Sequence, residues 1–579
     1  MPTLVVTNFN IVCSTLGGFV TLFGLVSYLF KERYYLSEAF DTPFRAVISL
    51  LAGVSLSPSA ANFIRPLDYA GGNEEHLAQI TLYFSRLVLG VQLVLAGVQL
   101  PSRYLWREWK PLALLLGPGM TAMWLCSSLL VYGMVPHFSF LHALAVGACV
   151  TPTDPVLSNS IVKGKFADQN VPKDLQKIII AESGANDGLG YPFLFLALYL
   201  MKYNGEHGLG QVGGTSKAIG LWFGETWAYT ILLSVFYGAA VGWIAKELLY
   251  RAEKKFCSPF TPLRMLIAMP LTYALRKYVD RESFLVFAIT LALFIVGTCG
   301  MIGSDDVLAC FVAGNAFTWD DWFRLETLDD SLQPTIDMLL NLAIFMWFGA
   351  VCPWDSFLHN DVIPLYRLVF LGILVLLFRR LPVVYAMHRV IPQIEEQRQA
   401  LFVGFFGPIG VSAVFYLYVS LEFLGQIKVD GVVREDAQKL QDVMMVVIWF
   451  LAISSIVVHG LTIPLGKLGF YLPRTISQAL DSASRDESGT PFQIQGRVEL
   501  IEQLQERRQQ RIQSGQRSPD GMPPRPVFRI GGSVIRSPEN HSRTPASISR
   551  KSSLTNNEGL PVSVQDTASG ITHDSFAKK

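Results

Sequence analysis

Residues 178–198 read IIIAESGANDGLGYPFLFLAL, and the interpretation of the whole chain starts from this stretch. Its length and the apolar runs on both sides of its polar centre predict a membrane-spanning helix. Two carboxylates, a hydroxyl and an amide share one helix face because of their spacing: Glu182, Ser183, Asn186 and Asp187. A charge near the bilayer centre costs about 2.5–3.5 kcal/mol even on a lenient scale, so such residues normally face the bundle interior and mark an ion path. A short soluble helix with a solvated polar face is the alternative.

The composition is that of a polytopic membrane protein. The chain has 579 residues, of which 51% are hydrophobic and 16% charged, which is too apolar for a soluble protein of this size. Its net charge of +1 gives no bias towards nucleic acid or a strongly acidic partner. The N-terminus has no positive region followed by a cleavage site, so we expect the first apolar run to remain as a span.

Apolar runs long enough to cross a bilayer predict thirteen spans. They lie at about 9–30, 42–61, 79–99, 111–134, 138–157, 177–201, 219–247, 283–302, 304–318, 334–351, 363–389, 400–423 and 441–466. Basic residues follow spans three, five and seven, which predicts an external N-terminus and a cytoplasmic C-terminus. In residues 256–277 the apolar part is short and is broken by Pro262, Arg264 and Pro270, and we expect this segment to lie at the inner surface as an interfacial or loop element.

The sequence predicts two regions, a transmembrane domain over residues 1–472 and a cytoplasmic tail over residues 473–579. The tail has no apolar run and is rich in Ser, Arg, Gln and Pro, so we expect it to be disordered. Its serines and threonines near Arg543 and Lys551 are candidate sites for kinases or other regulators.

Two of the predicted spans carry interruptions. The fifth ends in Thr151-Pro-Thr-Asp154-Pro, where two prolines remove backbone donors and leave carbonyls and a hydroxyl beside a carboxylate. The twelfth contains Gly404-Phe-Phe-Gly407-Pro-Ile-Gly410. Broken helices at membrane depth usually indicate a transport site, and their corresponding positions predict two inverted six-helix repeats. A simple proline kink is the alternative for the first break.

Other ionisable residues in apolar surroundings are further candidates. Arg379 and Arg380 stay charged, so at least one needs a carboxylate partner if it is buried. Glu182 is a candidate partner, whereas the alternative is that both arginines snorkel to the inner interface. Asp305 and Asp306 indicate either a second ion-pathway element or vestibule, or an acidic helix N-terminus. For His459, a buried, neutral, hydrogen-bonded side chain is expected rather than a proton relay.

Taken together, these motifs resemble the fungal plasma-membrane sodium/proton antiporters of the monovalent cation/proton antiporter superfamily. The resemblance covers about residues 9–475 and rests on Thr151-Pro-Thr-Asp154-Pro, Glu182-Ser-Gly-Ala-Asn-Asp187-Gly, Asp280-Arg-Glu-Ser283, Phe378-Arg-Arg-Leu-Pro382 and Phe406-Gly-Pro-Ile-Gly410. It implies an all-α fold of thirteen helices, assembled as a homodimer with a dimerisation half and a mobile core half. The chain departs from the family pattern in some twenty extra residues around 256–277.

The resemblance also implies roles for individual residues. Asp187 becomes the ion- and proton-binding carboxylate, and an intramembrane arginine, placed at Arg380, pairs with Glu182. Nearby ligands are implied to be a threonine of the interrupted helix and neighbouring polar groups: Asp154, Ser183, Thr153 and Asn186, with Thr151 as a second threonine. The bound metal is then the transported Na⁺ at Asp187, Asp154 and Ser183.

We therefore predict a secondary antiporter that exchanges cytoplasmic Na⁺, and Li⁺ or K⁺, for external H⁺ without a cofactor. Its expected partners are these ions, the lipid bilayer and a second copy of the chain, and its expected roles are salt tolerance and pH homeostasis at the plasma membrane. A cation channel, or a cation sensor on a transporter-like fold, is the alternative from another class. An intramembrane hydrolase using Ser183 and His459 has no GxSxG or HExxH motif to support it.

Overall fold

The computed structural model describes residues 7–34, 42–162, 171–204, 211, 213–257, 281–327, 332–483, 528–530 and 533–535. The chain divides into two compact units, Met1–Ser484 and Arg485–Lys579. The described part of the first unit is helical apart from one small hairpin, and the described part of the second is a pair of short strands.

The helices that precede the first interruption are α1 (Asn8–Tyr34), α2 (Thr42–Leu56), α3 (Pro66–Tyr69), α4 (Glu74–Gln99), α5 (Tyr104–Arg107), α6 (Trp109–Leu114), α7 (Met120–Met134) and α8 (Phe140–Val150). A π-helical turn, Leu115–Gly119, contains Pro118 and joins α6 to α7 within one continuous span.

The middle of the chain contains α9 (Pro155–Val162), α10 (Lys173–Gly188), α11 (Gly190–Asn204), α12 (Gly214–Leu221), α13 (Leu233–Cys257), α14 (Arg281–Ile302), α15 (Asp306–Phe317) and α16 (Trp322–Glu326). A second π-helical stretch, Trp222–Leu232, joins α12 to α13.

The last part contains α17 (Leu332–Val351), α18 (Trp354–Leu358), α19 (Leu365–Phe378), α20 (Leu381–Met387), a 3₁₀ turn (His388–Val390), α21 (Gln397–Phe405), α22 (Val411–Gly425) and α23 (Glu435–Ala483). Strands β1 (Lys428–Val429) and β2 (Val432–Val433) form the antiparallel hairpin before α23. In the second unit, β3 (Phe528–Ile530) pairs antiparallel with β4 (Ser533–Ile535).

Within the described residues, eight helical segments are long and apolar enough to cross a membrane, and four shorter apolar helices accompany them. The chain is therefore an all-α polytopic membrane protein. These twelve segments, together with α10 and α11 counted as one more, overlap the thirteen predicted runs, although the number that cross and the inverted repeat stay predictions. Of the segment 256–277, all but its first two residues lie outside the described residues. The predicted boundary at residue 472 falls inside α23, so the extent and disorder of the tail also stay predictions.

The central stretch, predicted as one helix, is divided at Leu189 between α10 and α11. Pro192 has no N–H to donate to the carbonyl of Gly188 four residues earlier, which removes one helical hydrogen bond. The hydroxyl of Tyr416 in α22 donates to the neighbouring carbonyl of Asp187. The side chain of Tyr416 also packs on Gly190, where a Cβ would lie 2.6 Å from the tyrosine Cζ. The break therefore ends α10 immediately after Asp187.

Glycines bring neighbouring helices into backbone contact around the core. A Cβ on Gly97 of α4 would lie 3.0 Å from the Cα of Gly314 in α15, and a Cβ on Gly53 of α2 would lie 3.0 Å from the Cα of Gly349 in α17. Small residues at such crossings permit the close packing that holds helices together in lipid. This packing surrounds α10 with protein, so that every residue from Ile178 to Gly188 is buried.

Candidate functional site

The two predicted interruptions are present, and they touch each other. Between α8 and α9 the backbone is non-helical at the Thr151–Asp154 segment, and between α21 and α22 it is non-helical over residues 406–410. The N–H of Asp154 donates to the carbonyl oxygen of Pro408 at 3.0 Å. Gly407 packs against Arg380 and Thr153, since a Cβ there would lie 2.7 Å from Arg380 Nε and 3.1 Å from Thr153 Cγ2. The two broken helices therefore meet at their interruptions, with a direct backbone hydrogen bond between them, and this contact is the crossing of the two helices.

Arg379 binds the backbone of both breaks. Its Nη1 donates to the carbonyls of three consecutive residues, at 2.5, 3.1 and 3.2 Å: Val150, Thr151 and Pro152. Its Nη2 donates to the carbonyl of Gly407. The guanidinium thus binds carbonyls at both interruptions. Among these, the carbonyl of Thr151 has no helical donor, because Pro155 four residues later lacks an N–H. Arg379 and Arg380 are both only 3% exposed, so neither reaches the interface as the snorkelling alternative requires.

Arg380 forms a bidentate ion pair with Glu182 of α10. Nη1 lies 2.5 Å from Oε1 and Nη2 lies 2.7 Å from Oε2, and the two side chains are 4% and 2% exposed. Arg380 Nε also donates to the carbonyl of Val403 at 3.0 Å. Because both carboxylate oxygens are occupied, Glu182 has a structural role in this state, and it ties α10 to the segment before the second break.

Asp154 is held by backbone N–H groups from both broken helices. Its Oδ2 accepts from Leu157 N at 2.9 Å, which caps the first turn of α9, and its Oδ1 accepts from Ser412 N at 3.2 Å. Gly410 packs against the same carboxylate, since a Cβ there would lie 2.8 Å from Oδ2. Asp154 is fully buried, and these contacts fix the position of its carboxylate where the two interruptions meet.

Asn186 joins α10 to the first break through Thr153. Its Nδ2 donates to Thr153 Oγ1 at 2.8 Å, and its Oδ1 accepts from Thr153 N at 3.2 Å. The other two predicted hydroxyls bond within their own helices: Ser183 donates to Ile180 O at 3.3 Å and Thr151 donates to Gly147 O at 2.7 Å. The structure therefore brings Thr153 and Asn186 together, whereas Thr151 faces its own helix.

Asp187 has surroundings unlike those of the other site carboxylates. It is 1% exposed, and neither carboxylate oxygen has a hydrogen-bond partner among the described residues. It lies one residue from Asn186, which is bound to the first break, and its carbonyl accepts from Tyr416 of the second broken helix. A buried carboxylate without a partner is costly unless a proton or a cation neutralises it.

Asp305 and Asp306 lie at the N-terminus of α15. Asp305 Oδ1 accepts from Val307 N at 3.0 Å and Leu308 N at 3.1 Å, which is the helix cap of the simpler interpretation. Its Oδ2 has no partner among the described residues and lies against Gly188, where a Cβ would come within 2.8 Å of it. Asp306 forms an ion pair with Arg86 of α4, with Nε 2.6 Å from Oδ2.

His459 is buried and hydrogen-bonded to the second broken helix. Its Nε2 lies 2.9 Å from the carbonyl oxygen of Phe405, and its Nδ1 lies 3.1 Å from Ser455 Oγ. Ser455 Oγ in turn accepts from Ile409 N at 2.7 Å. His459 Nδ1 also lies 2.9 Å from the carbonyl oxygen of Ser455. A neutral imidazole can donate to only one of the two carbonyls, those of Phe405 and Ser455. His459 therefore stabilises residues 405–409 through these hydrogen bonds. Ser183 is not among its partners in the described part of the chain.

Three residues of the site have no counterpart in the sequence analysis: Arg86, Ser412 and Tyr416. The signal for Arg86 is a basic residue inside an apolar run, which demands a buried acidic partner. Ser412 and Tyr416 carry a weaker signal, because polar groups directly after a helix break are common in any membrane protein. Only the crossing of the two breaks reveals what these two residues face.

Buried carboxylates beside two crossing, interrupted helices define the class of protein as a secondary transporter. A family profile described as "Sodium/hydrogen exchanger, transmembrane" matches residues 19–465. The chain belongs to the sodium/hydrogen exchanger family, and thus to a family of transporters rather than enzymes.

Named relatives agree with this assignment. The chain is 33% identical to Na(+)/H(+) antiporter 2 of Zygosaccharomyces rouxii, covering 85% of this chain and 58% of the relative. It is 37% identical to a probable Na(+)/H(+) antiporter of Schizosaccharomyces pombe, covering 78% of this chain and 55% of the relative. The chain thus spans a little over half the length of these two relatives. The structure of the sodium proton antiporter MjNhaP1 from Methanocaldococcus jannaschii has a similar fold, with a TM-score of 0.51 at 17% identity over 78% of this chain and all of that one.

Proposed function

We propose that this chain exchanges cytoplasmic Na⁺ for external H⁺ by alternating access at Asp187. The observation that carries the proposal is the buried carboxylate of Asp187, whose two oxygens have no partner among the described residues. Nearby Glu182 is already neutralised by Arg380, and Asp154 is bound by two backbone N–H groups. Asp187 is therefore the carboxylate of this group that is available to exchange ligands.

Competition for the same oxygens is sufficient for exchange. A proton on Asp187 removes the charge that attracts a cation, and a bound cation opposes protonation. If the loaded site is exposed to alternate faces by movement of the core half, each cation released outside is replaced by a proton carried inwards. The inward proton gradient then drives Na⁺ out of the cell, and this cycle needs no cofactor.

We assign the ligands around the cation to oxygen atoms close to Asp187. Asp154 supplies negative charge, and Ser183, Thr153 and Asn186 supply neutral oxygens after small rotations from their present partners. Such a flexible oxygen set suits monovalent cations in general, so Li⁺ and K⁺ are further candidate substrates. Asn186 in the place of a second acidic residue supports a ratio of one proton per cation.

The assembly and cellular setting are further parts of the proposal. The family resemblance supports a homodimer in the plasma membrane and a role in salt tolerance. The basic loops after the odd-numbered spans support an external N-terminus and a cytoplasmic C-terminus. We assign regulation by kinases to the tail after residue 472.

Exchange in proteoliposomes tests the proposal. Vesicles with an acidic interior and an internal pH dye receive external Na⁺, Li⁺ or K⁺, and wild type is compared with Asp187→Asn. We expect alkalinisation with wild type and only background with the variant, because an amide cannot hold the proton or attract the cation. The matched control is Asp174→Asn on the same helix, whose side chain is 78% exposed; its exchange rate should equal that of wild type.

The same assay separates an antiporter from a channel or a sensor. An antiporter releases protons in step with cation entry, even when the membrane is clamped with K⁺ and valinomycin during Na⁺ assays. A channel carries an ion current that does not depend on an opposing proton gradient, and a sensor gives no flux. Unchanged exchange in Asp187→Asn would contradict the assignment of the site.

A further inference from the structure

Ser412 has a buried hydroxyl that the fold leaves without a partner. The residue is 1% exposed and lies in the first turn of α22, directly after the second break. Its Oγ makes no hydrogen bond among the described residues. A serine in a helix usually donates its hydroxyl to the carbonyl four residues earlier, as Ser420 of the same helix does to Tyr416 O at 2.7 Å.

The helix break explains why Ser412 differs from Ser420. The carbonyl four residues before Ser412 belongs to Pro408, and it already accepts the N–H of Asp154 at 3.0 Å. Ser412 is the second residue of α22, so the carbonyl of Pro408 lies outside the helix, in the non-helical segment 406–410, and the Ser412 hydroxyl makes no hydrogen bond to it. Its hydroxyl is free to bind another group, and its backbone is fixed by the hydrogen bond from Ser412 N to Asp154 Oδ1 at 3.2 Å.

The hydroxyl of Ser412 lies within interaction range of two carboxylates, those of Asp154 and Asp187. It meets hydrogen-bond geometry with neither, and both oxygens of Asp187 are also without partners among the described residues. The Ser412 hydroxyl has one proton to donate, so it can serve only one of the two Asp187 oxygens at a time. A buried carboxylate oxygen that no donor reaches is costly unless a cation or a proton neutralises it.

We propose that the hydroxyl oxygen of Ser412 is a ligand of the transported cation, supplied by the second broken helix. The inference deepens the proposed function and depends on it. In the cation-loaded state the Ser412 oxygen and the Asp187 carboxylate bind the same ion. In the proton-loaded state the protonated Asp187 donates to Ser412 Oγ, so one hydroxyl serves both states and links α22 to the occupancy of α10.

The test compares three variants in the proteoliposome assay. Ser412→Ala removes the hydroxyl, Ser412→Thr keeps it, and Ser420→Ala makes the same truncation two turns further along the helix. We expect Ser412→Ala to raise the apparent KM for Na⁺ about tenfold, the factor for one lost neutral ligand of hydrogen-bond strength. Ser412→Thr and Ser420→Ala should stay within about twofold of wild type on the same scale.

A binding measurement without transport gives a second readout. Na⁺ raises the melting temperature of the purified protein if it binds the folded state. In Na⁺-free buffer Ser412→Ala should be at least as stable as wild type, because it deletes an unsatisfied buried hydroxyl. The Na⁺-dependent rise in melting temperature should be smaller in Ser412→Ala than in wild type and unchanged in Ser420→Ala. A purely structural role for the hydroxyl predicts the opposite pattern, namely lower stability without Na⁺ and an unchanged rise with it.

The outcomes distinguish this inference from the proposed function. Wild-type exchange together with an unaltered KM and an unaltered Na⁺-dependent stabilisation in Ser412→Ala would overturn the assignment of Ser412 alone. Equal effects of Ser412→Ala and Ser420→Ala would also overturn it, since they would indicate a general packing defect. Wild type that shows neither exchange nor stabilisation by Na⁺ would refute the proposed function, and the role of Ser412 with it.

Discussion

Glu182 and Asp187 are buried carboxylates five residues apart on α10, and their surroundings give them different roles. Glu182 has a guanidinium on both oxygens, with distances of 2.5 and 2.7 Å. Asp187 has no partner on either oxygen among the described residues. Their spacing places them on one helix face, but the contacts of that face decide which carboxylate is structural and which can exchange ligands.

The ion pair yields a prediction about stability. In Glu182→Gln, Arg380 stays buried without a carboxylate, and breaking a buried pair in this way costs about 3–5 kcal/mol. We expect a large fall in melting temperature for Glu182→Gln and for Arg380→Met. The double variant Glu182→Leu/Arg380→Met should be more stable than either single variant, because it leaves no uncompensated charge.

The control for this prediction is the exposed pair of Asp174 and Lys177 on the same helix, 2.8 Å apart. Exposed pairs contribute about 0–1 kcal/mol, so Asp174→Asn should melt within a few degrees of wild type. The melting curves of wild type and of the four variants in detergent provide the measurement. Glu182→Gln with wild-type stability would show that the pair is not needed in the folded protein.

At the scale of single residues, the sequence predicts which residues belong to the site better than it predicts which groups those residues bind. The family resemblance assigns Arg380, two residues before Pro382, as the partner of Glu182, and the sequence alone makes Arg379 an equal candidate for that carboxylate. Whether a buried arginine binds a carboxylate or backbone carbonyls depends on where a second helix break lies. No local pattern contains that information, and Ser412 escaped notice for the same reason.

At the scale of elements, the central feature is that hydrogen bonds join the two helix interruptions to each other. The N–H of Asp154 bonds to Pro408 O, and Arg379 spans carbonyls from residues 150–152 to Gly407. Backbone carbonyls of interrupted helices are natural cation ligands, yet here the guanidinium of Arg379 binds them. The cation site that we propose therefore depends on side-chain oxygens of α10 and α22.

The substitution Arg379→Lys tests whether the hydrogen bonds of Arg379 stabilise the contact between the two interruptions. Lysine keeps the charge, but its single ammonium cannot match the planar fork that reaches both breaks. Hydrogen bonds to a charged group contribute about 1.5–3 kcal/mol each, so we expect a clear loss of thermal stability. Hydrogen exchange should also be faster at the amides of residues 151–154 and 406–410.

Arg367→Lys is the matched control, since Arg367 lies on α19 and contacts the ring and hydroxyl of its neighbour Tyr366. Its melting temperature and exchange pattern should equal those of wild type. If Arg379→Lys behaves like this control, charge alone holds the crossing, and the geometry of the guanidinium is unimportant.

The elements themselves were largely predictable. Prolines in Thr151-Pro-Thr-Asp154-Pro and around Gly407 indicate breaks because proline lacks a backbone donor. The division at Leu189 was missed, although Pro192 also lies in that stretch, because a proline near the start of a helix is tolerated. The decisive second factor is the hydroxyl of Tyr416, which comes from a helix more than 220 residues away and leaves no trace near Leu189.

At the scale of the whole molecule, backbone contacts at glycines hold the long helices in a fixed arrangement. Helices α4 and α15 meet at Gly97 and Gly314, and α2 and α17 meet at Gly53 and Gly349. Hydropathy predicts that these segments lie in the membrane but does not predict which pairs are neighbours. All four glycines lie within apolar runs. The sequence of such a run does not distinguish a glycine at a helix contact from a glycine that has no packing role.

Substitution of Gly97 tests this packing. In Gly97→Val the new side chain would overlap the backbone of α15, because even a Cβ would lie 2.9 Å from Asn315 N. Overpacking typically costs about 1–3 kcal/mol, so we expect a lower melting temperature and a lower yield of folded protein. Gly133→Ala of α7 is the control, since nothing lies within 4 Å of its Cβ position; it should match or exceed wild-type stability. A Gly97→Val protein as stable as the control would show that the two helices separate without cost.

The balance of formal charge at the crossing has an electrical consequence for the proposed cycle. Arg379 offsets Asp154, and the pair of Glu182 and Arg380 is neutral, so within this group of five side chains the charge of Asp187 is left over. Asp305, which lies against Gly188, is a further acidic group beside it. With one Na⁺ or one H⁺ aboard, the group of five is neutral and can move through the bilayer unhindered by voltage. Empty, it carries a net charge, which costs about 2.3 kcal/mol per 100 mV across the full potential in addition to the penalty of hydrocarbon. In the proposed cycle, slippage without cargo is therefore disfavoured in both directions, and exchange at the proposed ratio of one proton per cation is electroneutral.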